Sequence, residues 1–322
     1  MPSVFITRKL HSAGIDLLRE KGYEIICNPH DRDLTKEEFL DILSKNKFDA
    51  VLCMLTNSIN AETFDASPST KIFSNYAVGY NNVDIEEATK RSITITNTPG
   101  VLTESVAEHT MALMLASTSR VVDGDRFIRE GRFRGWEPLL LLGTDLKDKT
   151  LSVIGSGRIG SRVAEIAHKG FGMKIVYFDI KKNEKMEQEL NANFKQNIDD
   201  ALKQGDIITL HMPLLKSTEK IINEGKLNLM KKDAYLINTS RGKIIDEKAL
   251  VRHLNNGNLK GVALDVFEEE PKLAEGLAEI ERVVLTPHTA SATEETRGKM
   301  SVIAAENIIA ALEGGEPKFK VS

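Results

Sequence analysis

At 322 residues, 41% hydrophobic and 28% charged, the chain has the balance of an ordinary globular protein and is too long for a single core. Its 43 basic and 47 acidic residues leave a formal net charge of −4, which gives no electrostatic reason to expect nucleic acid as a partner. The N-terminus carries no charged-then-apolar signal pattern, and the longest leucine run, Leu139 to Leu142, is far too short to span a bilayer. A cytoplasmic protein with no membrane partner is expected. Cys27 and Cys53 stand alone in apolar stretches without metal-like spacing. Both are expected to be reduced, buried packing residues, and no metal site is expected.

Short apolar runs alternate with amphipathic stretches. Strands are expected at Val4 to Thr7, Tyr23 to Cys27, Ala50 to Leu55, Lys71 to Ala77 and Ile93 to Thr96, with helices at Ser12 to Lys21 and Thr35 to Asn46. The turn cluster Asn97-Thr98-Pro99-Gly100 then precedes a long helical pattern from Glu104 to Arg120. A second series of strands follows at Leu151 to Gly155, Lys174 to Asp179, Asp206 to Met212, Ala234 to Thr239, Gly261 to Val266 and Val283 to Thr286. Thr286-Pro287-His288 breaks the chain before a last helical stretch from Glu294 to Leu312. Such alternation predicts βαβ units and parallel sheets covered on both faces, hence an α/β protein of two doubly wound domains. The long helices flanking the second series fit a chain that leaves its first domain, builds the second and returns. A C-terminal helix capping the second domain fits the same pattern. The polar tail from Gly314, with Pro317, is expected to be loosely held.

Leu151-Ser152-Val153-Ile154 runs directly into Gly155-Ser156-Gly157-Arg158-Ile159-Gly160, which opens a helical pattern from Arg162 to Lys169; the next strand ends at Asp179. A glycine triplet alone means little, but this order of strand, loop, helix and acidic strand end is the context a dinucleotide site needs. Gly155 permits the tight turn, Gly157 lets backbone approach the pyrophosphate, and Gly160 lets helix and strand pack closely. The helix N-terminus offers unpaired N–H groups to the phosphates. The Asp179 carboxylate can accept from the adenosine ribose hydroxyls and would repel a 2′-phosphate, which favours NAD. Lys181 and Lys182 follow closely and could meet a phosphate, so NADP stays open as a second cofactor.

Three further segments follow strands of the second series, where open α/β sheets place ligands. They are Asn238-Thr239-Ser240-Arg241-Gly242, Asp265-Val266-Phe267-Glu268-Glu269-Glu270-Pro271 and Thr286-Pro287-His288. Reducing a 2-oxo acid needs a cation for the carboxylate and carbonyl, and a proton donor for the developing alkoxide. Arg241 has the planar fork for the first task and His288 the titration range for the second. A Glu beside that His favours the imidazolium. Taken singly, each residue has a bland explanation as a surface ion or a structural histidine. Their succession at strand ends, downstream of a dinucleotide loop, is what points to catalysis.

On these motifs the chain resembles the D-isomer-specific 2-hydroxyacid dehydrogenase family over essentially its full length. The resemblance implies a Rossmann cofactor domain, 100–288, inserted in a discontinuous flavodoxin-like substrate-binding domain, 1–99 and 289–322. It implies catalytic Arg241, Glu270 and His288, with Arg241 also binding substrate. Cofactor contacts are implied at Thr103, Gly155, Gly157, Arg158, Ile159, Gly160, Asp179, Pro213, Asn238, Thr239, Ser240 and Asp265. Within the family, Asn75-Tyr76-Ala77-Val78-Gly79-Tyr80-Asn81-Asn82-Val83-Asp84, Arg120-x-x-x-Gly124 and Gly135-Trp136-Glu137-Pro138 are similar to glyoxylate/hydroxypyruvate reductases. There the N–H groups at Val78 and Gly79 would hold the substrate carboxylate; a turn needing positive φ at Gly79 would explain that glycine equally well. The same likeness implies a homodimer in which Trp136 reaches the partner's substrate pocket. Phosphoglycerate, D-lactate and phosphite dehydrogenases share the framework, as do NAD-binding corepressors, so the physiological acid stays open. Formate dehydrogenases of this superfamily place Gln where Glu270 stands, which argues against formate.

Overall fold

The computed structural model describes residues 1–321. They form two compact units, one made of residues 1–102 with 292–321 and the other of Thr103–Ser291. The second unit is thus inserted in the first, and both of its limits fall a few residues later than 100 and 288.

The first unit contains β1 (Ser3–Ile6), α1 (Ser12–Glu20), β2 (Glu24–Cys27), α2 (Lys36–Lys45), β3 (Ala50–Cys53), α3 (Ala61–Ala66), β4 (Ile72–Asn75), α4 (Ile85–Lys90) and β5 (Thr94–Thr96). Its sheet is wholly parallel in the order β2-β1-β3-β4-β5, the flavodoxin-like order. β1, β3 and β4 are buried along their whole length, as strands covered on both faces must be. The C-terminal helix Glu294–Leu312 returns to this unit and packs on α1 and β4. Gly14 makes that contact close, because a Cβ there would overlap the Ser301 carbonyl.

Two expectations fail here. The tail is not loose: Pro317 is buried, Val321 N–H donates to Ile95 O at 2.8 Å, and Lys320 bridges antiparallel to Thr96. It covers the otherwise open edge of β5. Cys27 is only half-buried because β2 is the opposite edge strand, whereas Cys53 lies in the interior and burial pushes its thiol up to about 12.

The second unit begins with α5 (Thr103–Thr118) and α6 (Val121–Arg129). It continues through β6 (Thr150–Ile154), α7 (Arg158–Phe171), β7 (Lys174–Phe178), α8 (Glu184–Leu190), β8 (Asn193–Lys195), α9 (Ile198–Gln204) and β9 (Ile207–Leu210). α10 (Glu224–Leu227), β10 (Tyr235–Asn238), α11 (Glu247–Asn255), β11 (Gly261–Leu264) and β12 (Val283–Leu285) complete it. All strands are parallel, in the order β12-β11-β10-β9-β6-β7-β8. The strand order reverses between β6 and β9, which is where doubly wound sheets bind ligands. Side chains alternate along the strands. Leu151, Val153, Ile207 and Ile237 face a core with α5 and α7, while Ile154, Ile208, Leu210 and Leu236 face one with α9 and α11. The helical pattern from Glu104 does not reach Arg120 unbroken; Arg120 takes a left-handed φ of 55° and starts α6. No helix among the described residues is long and apolar enough to cross a membrane.

Candidate active site

β6 delivers the chain into the glycine loop at the reversal of strand order. Gly155 has a φ of 99°, and a Cβ there would lie 2.7 Å from the backbone of His211; both constraints require glycine. A Cβ at Gly160 would overlap the Gly155 carbonyl, so helix and loop touch there through backbone. Gly157 differs: nothing lies near where its Cβ would be, and it starts α7 without a side-chain cap. Open space above uncapped helical N–H groups fits a pyrophosphate.

Asp179, immediately after β7, has its carboxylate fixed against this loop. Oδ2 accepts from Ser156 N–H at 2.6 Å and Ser156 Oγ at 3.0 Å, and Oδ1 accepts from Ile180 N–H at 2.7 Å. Together with Lys181, Lys182 and Asn183 it borders a wide cavity of about 410 Å³. The Lys182 ammonium lies 5.5 Å from the centroid of the Phe194 ring, so a cation–π contact competes for the charge that a 2′-phosphate would seek. Asn183 donates to Ser156 O and Ser161 Oγ, at 2.9 and 3.0 Å, and pins the turn. Thr103 and Arg158 line an adjoining cavity of about 330 Å³. Ile159 is half-buried in α7, and Pro213 is exposed just beyond β9.

The other site segments leave three neighbouring strands, β10, β11 and β12, at their C-terminal ends. After β10, Asn238 organises its own turn, accepting from Ser240 N–H and Oγ and donating to Arg241 O at 2.9 Å. The Thr239 hydroxyl is paired with that of Thr110 on α5 at 2.8 Å. The side chains of Asn238 and Thr239 are thereby committed to the turn that presents Arg241. Burial draws the Arg241 guanidinium below its ordinary range, while the Glu270 charge opposes the shift.

After β11 and β12, Glu270 and His288 meet, with Glu270 Oε2 at 2.9 Å from His288 Nδ1. Glu270 Oε1 accepts from Phe267 N–H at 3.0 Å. Burial works against ionising Glu270, but His288, Phe267 N–H and Arg241 together hold its carboxyl below the usual range. His288 itself has a φ of 54°, a strained conformation for a side-chain-bearing residue.

Asp265 is what holds that strain. Its residue is wholly buried, and its side chain accepts from Thr286 Oγ1 at 2.6 Å and from the N–H groups of Thr289 and Ala290, each at 2.8 Å. His109 of α5 stands 3.5 Å from the same carboxylate, and the Asp265 carbonyl accepts from His288 N–H at 2.9 Å. Sequence reasoning placed Asp265 among cofactor contacts and did not foresee this scaffold, nor His109 or Ser156. Only the three-dimensional return of 286–290 over the end of β11 shows it.

In the first unit, the carbonyls of Val78 and Gly79 accept from the side chains of Asn97 and Asn75 at 2.8 and 3.0 Å. No hydrogen bond among the described residues uses their N–H groups. Gly79 is not among the glycines of positive φ, so left-handed geometry does not explain it. Trp136 lies in the loop after α6 and is 84% exposed.

Burial opposes the charge on Asp265, but its hydrogen bonds from His109, Thr286, Thr289 and Ala290 hold the carboxyl below its ordinary range. A depressed folded-state pKa means this stabilisation is full at neutral pH and is lost as pH falls below about 4. Asp265→Asn turns an amide nitrogen toward N–H donors and is expected to cost about 2–3 kcal/mol. Urea denaturation at pH 7 should show a lower midpoint with unchanged slope. An unchanged midpoint would mean that the loop does not depend on this carboxylate.

Residues 111–290 match the D-isomer specific 2-hydroxyacid dehydrogenase, NAD binding domain, as a family. The whole chain is 44% identical to a glyoxylate reductase of Pyrococcus horikoshii, spanning 100% of this chain and 96% of that one. A glyoxylate reductase of Korarchaeum cryptofilum is 43% identical over 98% of this chain and 94% of its own length. Among solved structures, an NADPH-dependent glyoxylate/hydroxypyruvate reductase from Sinorhizobium meliloti, in complex with NADP and malonate, superposes with a TM-score of 0.86. It shares 30% identity, over 100% of this chain and 97% of that one. The glycine loop, the acidic end of β7 and the Arg, Glu and His at three strand ends therefore belong to a chain of the D-isomer-specific 2-hydroxyacid dehydrogenase family, an NAD(P)-dependent oxidoreductase.

Proposed function

We propose that the chain reduces a small 2-oxo acid, glyoxylate or hydroxypyruvate, to the 2-hydroxy acid, in the D configuration where the product is chiral. The observation that carries this reading is the 2.9 Å contact from His288 Nδ1 to Glu270 Oε2, which commits one ring nitrogen and leaves Nε2 for substrate. When bound, the nicotinamide dinucleotide supplies the hydride. Arg241 binds the carboxylate and polarises the carbonyl. His288, charged, gives the Nε2 proton to the oxygen as it becomes an alkoxide; in oxidation the neutral ring takes that proton back. Ionised Glu270 orients the ring through Nδ1 and sets a negative charge beside it. The relatives' glyoxylate reductase names support the substrate class, and Asp179 at the end of β7 supports NADH over NADPH.

The direct test is consumption of NADH and NADPH with a panel of 2-oxo acids. Glyoxylate or hydroxypyruvate with NADH should give the highest kcat/KM. A better rate with pyruvate or a phosphorylated acid would move the chain to another branch, and no turnover would favour a binding module. Arg241→Ala should fold normally yet lose about 3–4 kcal/mol of transition-state binding, comparable to losing an oxyanion donor. A near-wild-type kcat/KM would remove Arg241 from the mechanism.

Glu270 is held ionised through neutral pH, so Glu270→Gln withdraws a negative charge from beside His288. Reduction, which needs the charged ring, should then lose rate at lower pH than in wild type. Oxidation, which needs the neutral ring, should extend to lower pH. Unmoved pH–rate profiles would show that Glu270 and His288 are not coupled.

A homodimer is part of the same proposal. α6 buries none of its residues and leaves Val121 and Ile128 more than half exposed. The loop after it exposes Phe133, Trp136, Leu139 and Leu142. Apolar surface of this extent marks an interface, and most soluble oligomers have two-fold symmetry. With Trp136 bordering the partner protomer's substrate pocket, Trp136→Ala should raise KM for small acids and admit bulkier ones while leaving cofactor affinity unchanged. A monomer by light scattering at micromolar concentration would contradict the assembly, and an unaltered substrate profile would contradict the role of Trp136.

A further inference from the structure

α11 starts directly behind the turn that carries Glu270. Its first residue, Glu247, is only 2% exposed, a rare place for a carboxyl. Capping does not require it, because Asp246 already accepts from Ala249 N–H at 3.0 Å. The Glu247 side chain instead accepts from Glu268 N–H at 2.7 Å, and Glu247 N–H donates back to Glu268 Oε2 at 3.3 Å. Lys220 anchors the other oxygen of Glu268 at 2.5 Å. Next to this exchange, a Cβ on Gly242 would overlap the Phe267 carbonyl, so the turn bearing Arg241 and the turn bearing Glu270 touch through backbone. Burial, and then the neighbouring charges of Glu268 and Glu270, raise the Glu247 carboxyl. An acid so costly to ionise is a poor choice for filling space.

We propose that Glu247 is a positioning residue of the reaction: it clamps the Phe267–Glu270 turn to the start of α11 and so sets where Glu270 stands against His288. The geometry is a short relay. Glu247 holds Glu268 N–H, Phe267 N–H holds Glu270 Oε1, and Glu270 Oε2 holds His288 Nδ1. Loss of the first contact frees the turn and lets Glu270 draw away from the imidazole. The inference rests on the Glu270–His288 coupling proposed above. The charged groups around the turn are Glu268 with Lys220, Glu269 with Lys272, Glu270 with Arg241 and His288, Asp265 with His109, and Glu247 itself beside Asp246, with Glu219 near Lys220.

The test compares Glu247→Leu, which removes the acceptor, with Glu247→Gln, which keeps one acceptor oxygen. Leu should lower kcat/KM for glyoxylate reduction about ten-fold, the loss expected when a buried hydrogen bond goes unmade. It should also move the alkaline limb of the reduction profile to lower pH, with NADH affinity by fluorescence titration unchanged. Gln, which can still accept from Glu268 N–H, should leave the limb and NADH affinity in place and keep more of the rate than Leu, although its amide nitrogen would face the Ala274 N–H that the carboxyl also holds. Glu247→Asp, which keeps the carboxyl but withdraws it from Glu268 N–H, makes the same comparison if Leu does not fold. In a Glu270→Gln background, Glu247→Leu should move the limb no further. A Leu variant that is slower at every pH with an unmoved limb, or whose shift adds to that of Glu270→Gln, would overturn the proposal. An unmoved limb in Glu270→Gln alone would instead overturn the coupling on which it rests.

Discussion

One buried carboxylate carries most of the site's geometry. Asp265, immediately after β11, is fully shielded from water, and its hydrogen bonds go to the chain that leaves β12. A buried charge is tolerated only where donors surround it, and here the donors are Thr286, Thr289 and Ala290, with His109 close by. They close the loop over the strand end and hold His288 in a left-handed conformation that it would otherwise leave. Stability is thus concentrated next to the reacting groups, and the strain in the histidine is offset by bonds from Thr286 before it and from Thr289 and Ala290 after it.

The parallel sheet explains why the functional groups converge. Buried parallel strands leave only their ends for chemistry, and β10, β11 and β12 are neighbours, so Arg241, Glu270 and His288 leave one edge side by side. The glycine loop leaves the same edge at the reversal between β6 and β9. Cofactor and acid–base groups are therefore placed by one repeated device, a strand ending in a polar turn. Asn238, Asp265 and Ser156 each spend their polar atoms on that turn, which keeps Arg241, His288 and Asp179 in place.

Much of this was legible in the sequence, for identifiable reasons. The eleven strand runs other than β8 stand out because buried parallel strands are continuous apolar stretches bounded by Gly, Asp or Pro. β8, Asn193–Lys195, escapes notice since an edge strand of three partly exposed residues has no such run. α6 was hidden because the helical pattern continues through Arg120, and only its backbone reversal separates the two helices. Glu270 and His288 could be paired because the strand-end motifs that carry them resemble those of the family, whose supporting Glu and proton-donating His they match. The work of Asp265 and Glu247 could not be read, as both depend on loops far apart in sequence returning to the same strand end. Pro317 in a polar tail suggested looseness, but β5 had a free edge, and backbone groups at an open edge seek partners whatever the local composition.

The account turns on a histidine that donates a proton in one direction and accepts it in the other. Its most direct test is the pH dependence of kcat/KM on the wild-type enzyme in both directions, glyoxylate reduction with NADH and glycolate oxidation with NAD. The account predicts opposed profiles, reduction falling and oxidation rising with pH. Profiles that move in the same direction would contradict it.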